Sequence, residues 1–224
     1  TGSYASSITG LTPGTTYFLR AYATSSLGAG YGQEVTFTTY NADAVQDADG
    51  NYYNTVIIGN QIWLAENLKT TLFNDNTSIT NVTEDNEWAA LSAPAYCWYN
   101  NDILYKTEYG ALYNYYAVNT GKLCPEGWHV PSDNAWTVLT DYLGGEAVAG
   151  GKLKESGTSH WADPNIGASN ESSFTALPGG TRYISGGGVF AFMYSNAVFW
   201  TSTFRYTRSL FNDGENIFSG EFGN

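Results

Sequence analysis

The chain has 224 residues, of which 13% are charged and 42% are hydrophobic, and its formal net charge is -12. This acidic balance disfavours nucleic acids and anionic membranes as partners, and no apolar run reaches the ~18 residues that a membrane-inserted helix needs. The 7 Trp, 18 Tyr, 11 Phe and 25 Gly residues exclude a disordered composition and indicate a β-rich, turn-rich, extracellular domain.

Residues 1–39 have the alternating apolar and polar pattern of two β-strands, separated by a Gly-Ala-Gly turn at 28–30. The Leu-x-Pro-Gly-Thr-x-Tyr sequence that ends at Tyr17 resembles the end of a fibronectin type III-like domain, in which this tyrosine hydroxyl bonds to upstream backbone. Such a β-sandwich needs roughly 90–100 residues. We therefore expect residues 1–39 to supply only the C-terminal strands of a sandwich and to act as a structural spacer.

The remainder of the chain carries signals for short elements. Asp-Gly and Gly-Asn dipeptides at 49–50 and 59–60 mark the turns around a predicted hairpin. Helical spacing of apolar residues and capping signals predict three short helices, over 84–91, 109–118 and 132–145. The third is the clearest, because a serine stands at its start and a glycine at its end.

A series of short segments occurs in one order in the second part of the chain. These segments lie at 49–52, 58–63, 66–68, 97–102, 109–114, 124–132, 150–155, 174–180 and 199–203. Together they resemble the Fibrobacter succinogenes major paralogous domain, a family of bacterial surface and secreted proteins. The resemblance covers nearly all of residues 47–224, and it predicts that this domain occupies residues 40–224.

A second, more distant resemblance concerns the fold. Trp-His-Val-Pro-Ser at 128–132 and Trp-Thr-Ser-Thr at 200–203 resemble segments of formylglycine-generating, sulfatase-modifying proteins, whose fold is related to C-type lectins. The resemblance implies an α+β fold class: a C-type-lectin-like domain with small twisted sheets, few short helices and long loops. The N-terminal β-sandwich fragment precedes this domain.

The cysteines argue against enzymatic activity of the sulfatase-modifying type. That chemistry needs a reactive cysteine pair late in the fold, whereas Cys97 and Cys124 both precede the helix that contains Trp136. The two could form a disulfide or remain buried thiols. His129 is interpreted as packed and His160 as exposed, and no Ser-His-Asp order or phosphate-binding loop is present. We predict no enzyme, although a glycosidase-type carboxylate pair stays open.

The lectin resemblance also implies a calcium site. The sequence at 161–165 resembles the Glu-Pro-Asn loop of C-type lectins, and the sequence at 211–213 resembles their Trp-Asn-Asp segment. Calcium prefers carboxylate, amide and backbone oxygens. The implied ligands are Asp163, Asn165, Glu171 and Asp213. Calcium is the one cofactor considered, and a solvated turn is the alternative interpretation.

Aromatic residues offer a second route to a ligand site. Tyrosines crowd the segment 105–116, and flat rings of this kind stack on sugars, although core packing explains most of them equally well. Trp161 is expected to be exposed because it lies between His160 and Asp163. The candidate ligand-binding residues are Trp161, Tyr105 and Tyr109. The tryptophans interpreted as core residues are Trp63, Trp98, Trp128, Trp136 and Trp200.

The family resemblance implies a non-catalytic module of the bacterial outer surface, used for adhesion or for binding a glycan or protein ligand. It would adjoin other domains of a larger extracellular protein. A purely structural or assembly module is the alternative, and an enzyme related to sulfatase-modifying factors is the third interpretation.

Overall fold

The computed structural model describes residues 5–184 and 187–221. The chain divides into two units, residues 1–44 and residues 45–224. The division lies between Ala44 and Val45, a few residues beyond the boundary predicted from composition. The two units are described separately below as the first unit and the second unit.

The first unit is built on one antiparallel hairpin, formed by β1 (Thr16–Ser25) and β2 (Gly28–Thr38). The Tyr17 hydroxyl accepts a hydrogen bond of 2.8 Å from the backbone N–H of Thr12, which is the upstream backbone contact that the tyrosine corner predicts. Most side chains of both strands are exposed, including the large ring of Phe18. The fibronectin-like sandwich itself stays a prediction.

A peptide of residues 1–44 is expected to show no cooperative thermal transition. An isolated two-stranded hairpin with exposed side chains has too little buried apolar surface to offset its conformational entropy. Circular dichroism between low and high temperature would record a gradual change in signal. A sharp sigmoidal transition would show that this segment folds as an independent domain.

The strands of the second unit are short. They are β3 (Val45–Gln46), β4 (Tyr52–Tyr53), β5 (Thr55–Ile58), β6 (Gln61–Leu64), β7 (Thr80–Asn81), β8 (Ala95–Cys97), β9 (Leu112–Tyr113), β10 (Thr181–Arg182), β11 (Phe190–Ala191), β12 (Asn196–Trp200), β13 (Tyr206–Phe211) and β14 (Ile217–Glu221). Within the described residues, β12, β13 and β14 form an antiparallel three-stranded sheet. In a second sheet, β7 pairs with β8 in parallel and β8 pairs with β9 antiparallel. The pairs β3–β4, β5–β6 and β10–β11 are antiparallel ribbons.

The helices are also short. They are α1 (Asp85–Ala89), α2 (Lys106–Tyr109), α3 (Tyr115–Val118), α4 (Asp133–Tyr142) and α5 (Glu146–Leu153). The helix predicted over 132–145 is confirmed as α4, where the Ser132 hydroxyl accepts from the Ala135 N–H at 3.1 Å. Small sheets and few short helices agree with an α+β or mostly β domain, whereas the C-type-lectin-like fold stays a prediction.

The single helix predicted over 109–118 is wrong. Gly110 follows α2 with φ 72°, a left-handed conformation that does not continue a helix. The chain then pairs as β9, and the Asn114 side chain caps the separate helix α3 by accepting from the Ala117 N–H. The apolar spacing in this segment therefore comes from three consecutive short elements, of which β9 and α3 contribute side chains to buried clusters.

The largest buried cluster centres on aromatic side chains. Trp136 from α4 lies 4.8 Å from Trp63 and 5.4 Å from Phe199, measured between ring centroids. Phe174 packs against all three rings. This core holds α4 and α5 against the β12–β13–β14 sheet.

The expectations about the burial of Trp161, Trp128 and His129 are wrong. Trp161 is only 1% exposed, because its Nε1 donates to the carbonyl of Ala176 at 2.9 Å inside the core. Trp128 is only half-buried and His129 is exposed. The apolar run around them does not form a strand: the Trp128 N–H closes a turn onto the Pro125 carbonyl, which places the run at the surface.

Cys97 and Cys124 are unbridged and buried. Of the two alternatives that the sequence left open, a disulfide or buried thiols, the structure therefore has buried thiols. Burial raises the pKa of the Cys97 thiol to about 11 and that of the Cys124 thiol to about 12, although Arg182 acts in the opposite direction on Cys97. Since thiolate is the reactive form, both cysteines are expected to be inert in the folded protein near pH 8.

Ellman's reagent tests the state of the cysteines. Both thiols should react slowly in the native protein at pH 8 and at once in concentrated guanidinium chloride. Rapid reaction of either thiol without denaturant would contradict the described burial, and no reaction in denaturant would indicate a disulfide.

Candidate functional site

The rings of four tyrosines in the second unit form a chain of contacts, in which each ring packs against the next. We call Tyr99, Tyr105, Tyr109 and Tyr194 the tyrosine cluster. The centroid distances are 5.6 Å from Tyr99 to Tyr105, 5.9 Å from Tyr105 to Tyr109 and 6.1 Å from Tyr109 to Tyr194. The first and last of these pairs are edge-to-face, a favourable arrangement for aromatic rings.

Short local elements position Tyr99, Tyr105 and Tyr109, which form the first side of the cluster. Short 3₁₀ turns at Tyr99–Asn101 and Ile103–Tyr105 lead into α2, and the Asp102 carboxylate caps the second turn by accepting from Leu104 N–H at 2.9 Å. Tyr105 and Tyr109 are four residues apart, so they lie on one side of the helical turn.

The end of α2 is held by a close backbone approach. A Cβ atom at Gly110 would lie 2.5 Å from the carbonyl oxygen of Leu68, so only glycine fits there. The Asn67 side-chain amide donates to the Tyr109 carbonyl at 2.9 Å. These contacts fix the position of the Tyr109 ring relative to the core.

The second side of the cluster depends on strained backbone. Phe192 and Tyr194 have φ values of 61° and 69°, a conformation that is rare for bulky residues and costs about 1–3 kcal/mol. Backbone hydrogen bonds hold Tyr194 there: its N–H donates to the Pro178 carbonyl at 3.0 Å, and its carbonyl accepts from Ala162 N–H at 2.7 Å. As a result, Tyr194, which is 45% exposed, places its ring against Tyr109, whereas Phe192, which is 49% exposed, packs against Tyr183.

His160 joins two carboxylates beside the cluster. Its Nε2 lies 2.9 Å from Glu108 Oε1, and its Nδ1 lies 2.8 Å from Glu155 Oε1. Its ring also packs edge-on against Tyr109 at 5.8 Å. His160 is thus half-buried, in contrast to the exposed position expected from sequence, and it ties α2 to the segment that follows α5.

The phenol groups of Tyr105 and Tyr109 stay protonated near neutral pH. A hydrogen bond with Tyr194 raises the pKa of Tyr105. Burial raises the pKa of Tyr109 to about 12, with further contributions from Tyr194 and Glu108. Neutral phenols both donate and accept hydrogen bonds, which suits a ligand rich in hydroxyl groups.

The predicted calcium ligands are only partly brought together. Asp163 and Asp213 are exposed, and their loops meet where the Asn212 side-chain amide donates to the Asp163 carbonyl at 3.1 Å. Asn165 is buried and its amide donates to the carbonyls of two loop residues, Glu155 and Gly157. Glu171 instead faces Lys152 Nζ at 3.6 Å. In the described ranges, no three Asp, Glu, His or Cys side chains are grouped so that they could hold a metal.

Sequence reasoning found Tyr105 and Tyr109 but missed Tyr99 and Tyr194. The aromatic run from 190 to 194 was the available signal, because it combines four ring or sulfur side chains after a glycine stretch. The orientation of Tyr194 could not be predicted, since its positive φ value depends on bonds to Pro178 and Ala162, which are distant in sequence.

This arrangement of small sheets, short helices and long loops defines a loop-rich α+β or mostly β domain, and the family comparison makes the assignment specific. The chain belongs to the Fibrobacter succinogenes major domain family, whose model matches residues 56–213. The match spans more than half of the chain and confirms the family resemblance seen in the sequence. Comparisons with curated proteins and with solved structures gave no significant match. Among the described residues, no helix is both long and apolar enough to cross a membrane.

Proposed function

We propose that the second unit is a non-catalytic ligand-binding module of the bacterial outer surface, with a C-type-lectin-like fold, and that it binds carbohydrate at the tyrosine cluster. The observation that carries the proposal is the strained backbone of Tyr194, which presents a partly exposed aromatic ring beside Tyr109, whose own ring contacts Tyr105. Strained backbone with exposed side chains concentrates at functional sites.

The chemistry of the cluster suits neutral sugars. Ring faces pack against the apolar C–H faces of pyranoses, while phenol hydroxyls and the half-exposed Glu108 carboxylate supply hydrogen bonds to sugar hydroxyls. The net charge of -12 disfavours anionic polysaccharides. The proposed ligand class is therefore a neutral glycan.

A glycan array tests this function. We expect the intact chain to retain neutral glycans and to ignore sulfated or uronic ones. Binding of no glycan by a well-folded sample would contradict the proposal. Parallel arrays with calcium and with EDTA would show whether binding depends on a metal.

An assembly module is the second candidate, favoured by an exposed apolar patch on another part of the second unit. Ile57 and Ile62 face each other across the β5–β6 hairpin and are 72% and 59% exposed. Paired exposed isoleucines are typical of interaction surfaces. Sedimentation equilibrium of the parent and of Ile57→Ser would distinguish the functions, because only assembly through this patch predicts a concentration-dependent oligomer that the substitution dissociates.

A further inference from the structure

The surroundings of Lys154 are not explained by the proposed function. This residue directly follows α5 and is 0% exposed. Its Nζ donates hydrogen bonds of 2.9 Å to each of three backbone carbonyls, those of Ile166, Phe211 and Gly214. It also lies 5.2 Å from the centroid of the Trp161 ring. A buried ammonium is costly unless its three N–H donors are satisfied, and here all three have acceptors.

The three carbonyls belong to two loops that converge on one point. Ile166 lies in the long loop after α5, whereas Phe211 and Gly214 lie at the turn between β13 and β14. The carboxylates of Asp213 and Glu215 add negative charge that favours a cation at this point. Converging carbonyl oxygens with carboxylates nearby are the ligands that proteins offer to hard metal cations.

We propose that the Lys154 ammonium is the built-in cation of these loops and takes the place of a bound metal ion. The loops that it joins carry three of the predicted calcium ligands, Asp163, Asn165 and Asp213. Because the ammonium already satisfies the converging carbonyls, the loops keep their conformation without metal. Burial lowers the pKa of Lys154 to about 8, while Asp213 and Glu215 act in the opposite direction, so the ammonium form prevails at neutral pH.

Thermal unfolding of the parent protein tests metal independence, with calcium chloride and EDTA as the probes. We expect the same Tm in millimolar calcium and in excess EDTA, because a cation that binds the folded state would raise the Tm by mass action. A rise in Tm with calcium would overturn the proposal. This measurement needs no variant, so it stays decisive even where a substitution prevents folding.

Two methionine variants test the ammonium itself. Lys154→Met keeps the apolar stem but takes the ammonium donor from three partly buried carbonyls, and we expect its Tm to fall by about 6–12 °C. The matched control is Lys152→Met, which removes a partly exposed ammonium that faces Glu171 and should change the Tm by at most about 2 °C. A Lys154→Met variant that melts with the parent would overturn the proposal.

Chemical rescue separates the ammonium from the rest of the side chain. Lys154→Ala removes the atoms that n-propylammonium reproduces. We expect n-propylammonium chloride to raise the Tm of Lys154→Ala and to leave the Tm of the parent unchanged. Tetramethylammonium chloride at the same concentration should have no effect, because it has no N–H donor. Equal effects of the two salts on the variant would contradict a donor-dependent cation position.

Discussion

Trp136→Ala is expected to lower the free energy of unfolding by about 3–5 kcal/mol, since truncation of a buried tryptophan removes apolar burial and leaves a cavity. The Trp136 ring contacts Trp63, Phe174 and Phe199, and these four rings come from α4, β6, β12 and the loop before β10. The cavity would therefore open where several elements meet. Urea denaturation followed by tryptophan fluorescence and circular dichroism measures the change.

Two control variants make this prediction specific. Tyr142→Ala, on the exposed face of the same helix, should cost less than about 1 kcal/mol. Trp136→Phe keeps most of the ring packing and removes an indole N–H for which the described part of the chain offers no hydrogen-bond acceptor, so it should cost less than the alanine change. An alanine variant as stable as the parent would show that Trp136 is not the centre of the core.

Arg182→Met is expected to cost about 3–5 kcal/mol, because it leaves buried carbonyl groups without donors. The buried Arg182 guanidinium donates to the carbonyls of Gly188, Val82 and Thr83 and to the Asp85 carboxylate, with distances of 2.7–2.8 Å. It thereby holds β10 to α1 and to the segment after β7. Chemical denaturation of parent and variant measures the loss.

The guanidinium is also packed between two rings, those of Trp88 and Phe190, at 4.7 Å and 4.5 Å from the centroids. Arg182→Lys keeps the charge but not the planar fork, so it should restore only part of the stability. Lys122→Met is the control, because Lys122 forms an exposed pair with Asp75 in the same unit and should contribute at most about 1 kcal/mol. Similar losses for Lys122→Met and Arg182→Met would contradict this account.

Local signals in the sequence were sufficient to predict α4 and much of the core. The helix has its own cap at Ser132, a glycine directly after its last turn, and Trp136 and Leu139 at helical spacing. The family could also be predicted, because it depends on many short segments in a fixed order. Both kinds of information are contiguous in the chain, so no knowledge of distant contacts was needed.

Contacts between distant residues explain the errors. Trp161 has polar neighbours in sequence, but its indole N–H reaches the Ala176 carbonyl and Lys154 lies over its ring. Neither partner is visible from the local pattern. Likewise, Tyr194 takes up a positive φ value that its residue type does not favour, because backbone groups distant in sequence hold it there. Tyr99 and Tyr194, which make up half of the tyrosine cluster, were therefore not predicted as site residues from the sequence.

The measurement that tests the central claim most directly is the affinity of an array-positive neutral glycan for tyrosine variants, determined by isothermal titration calorimetry. Tyr105→Ala and Tyr194→Ala should each raise the Kd by about tenfold or more, because each removes a ring from the proposed binding surface. Tyr142→Ala removes an exposed tyrosine elsewhere and should leave the Kd unchanged. If the two cluster variants bind as the parent does while remaining folded, the tyrosine cluster is not the carbohydrate site.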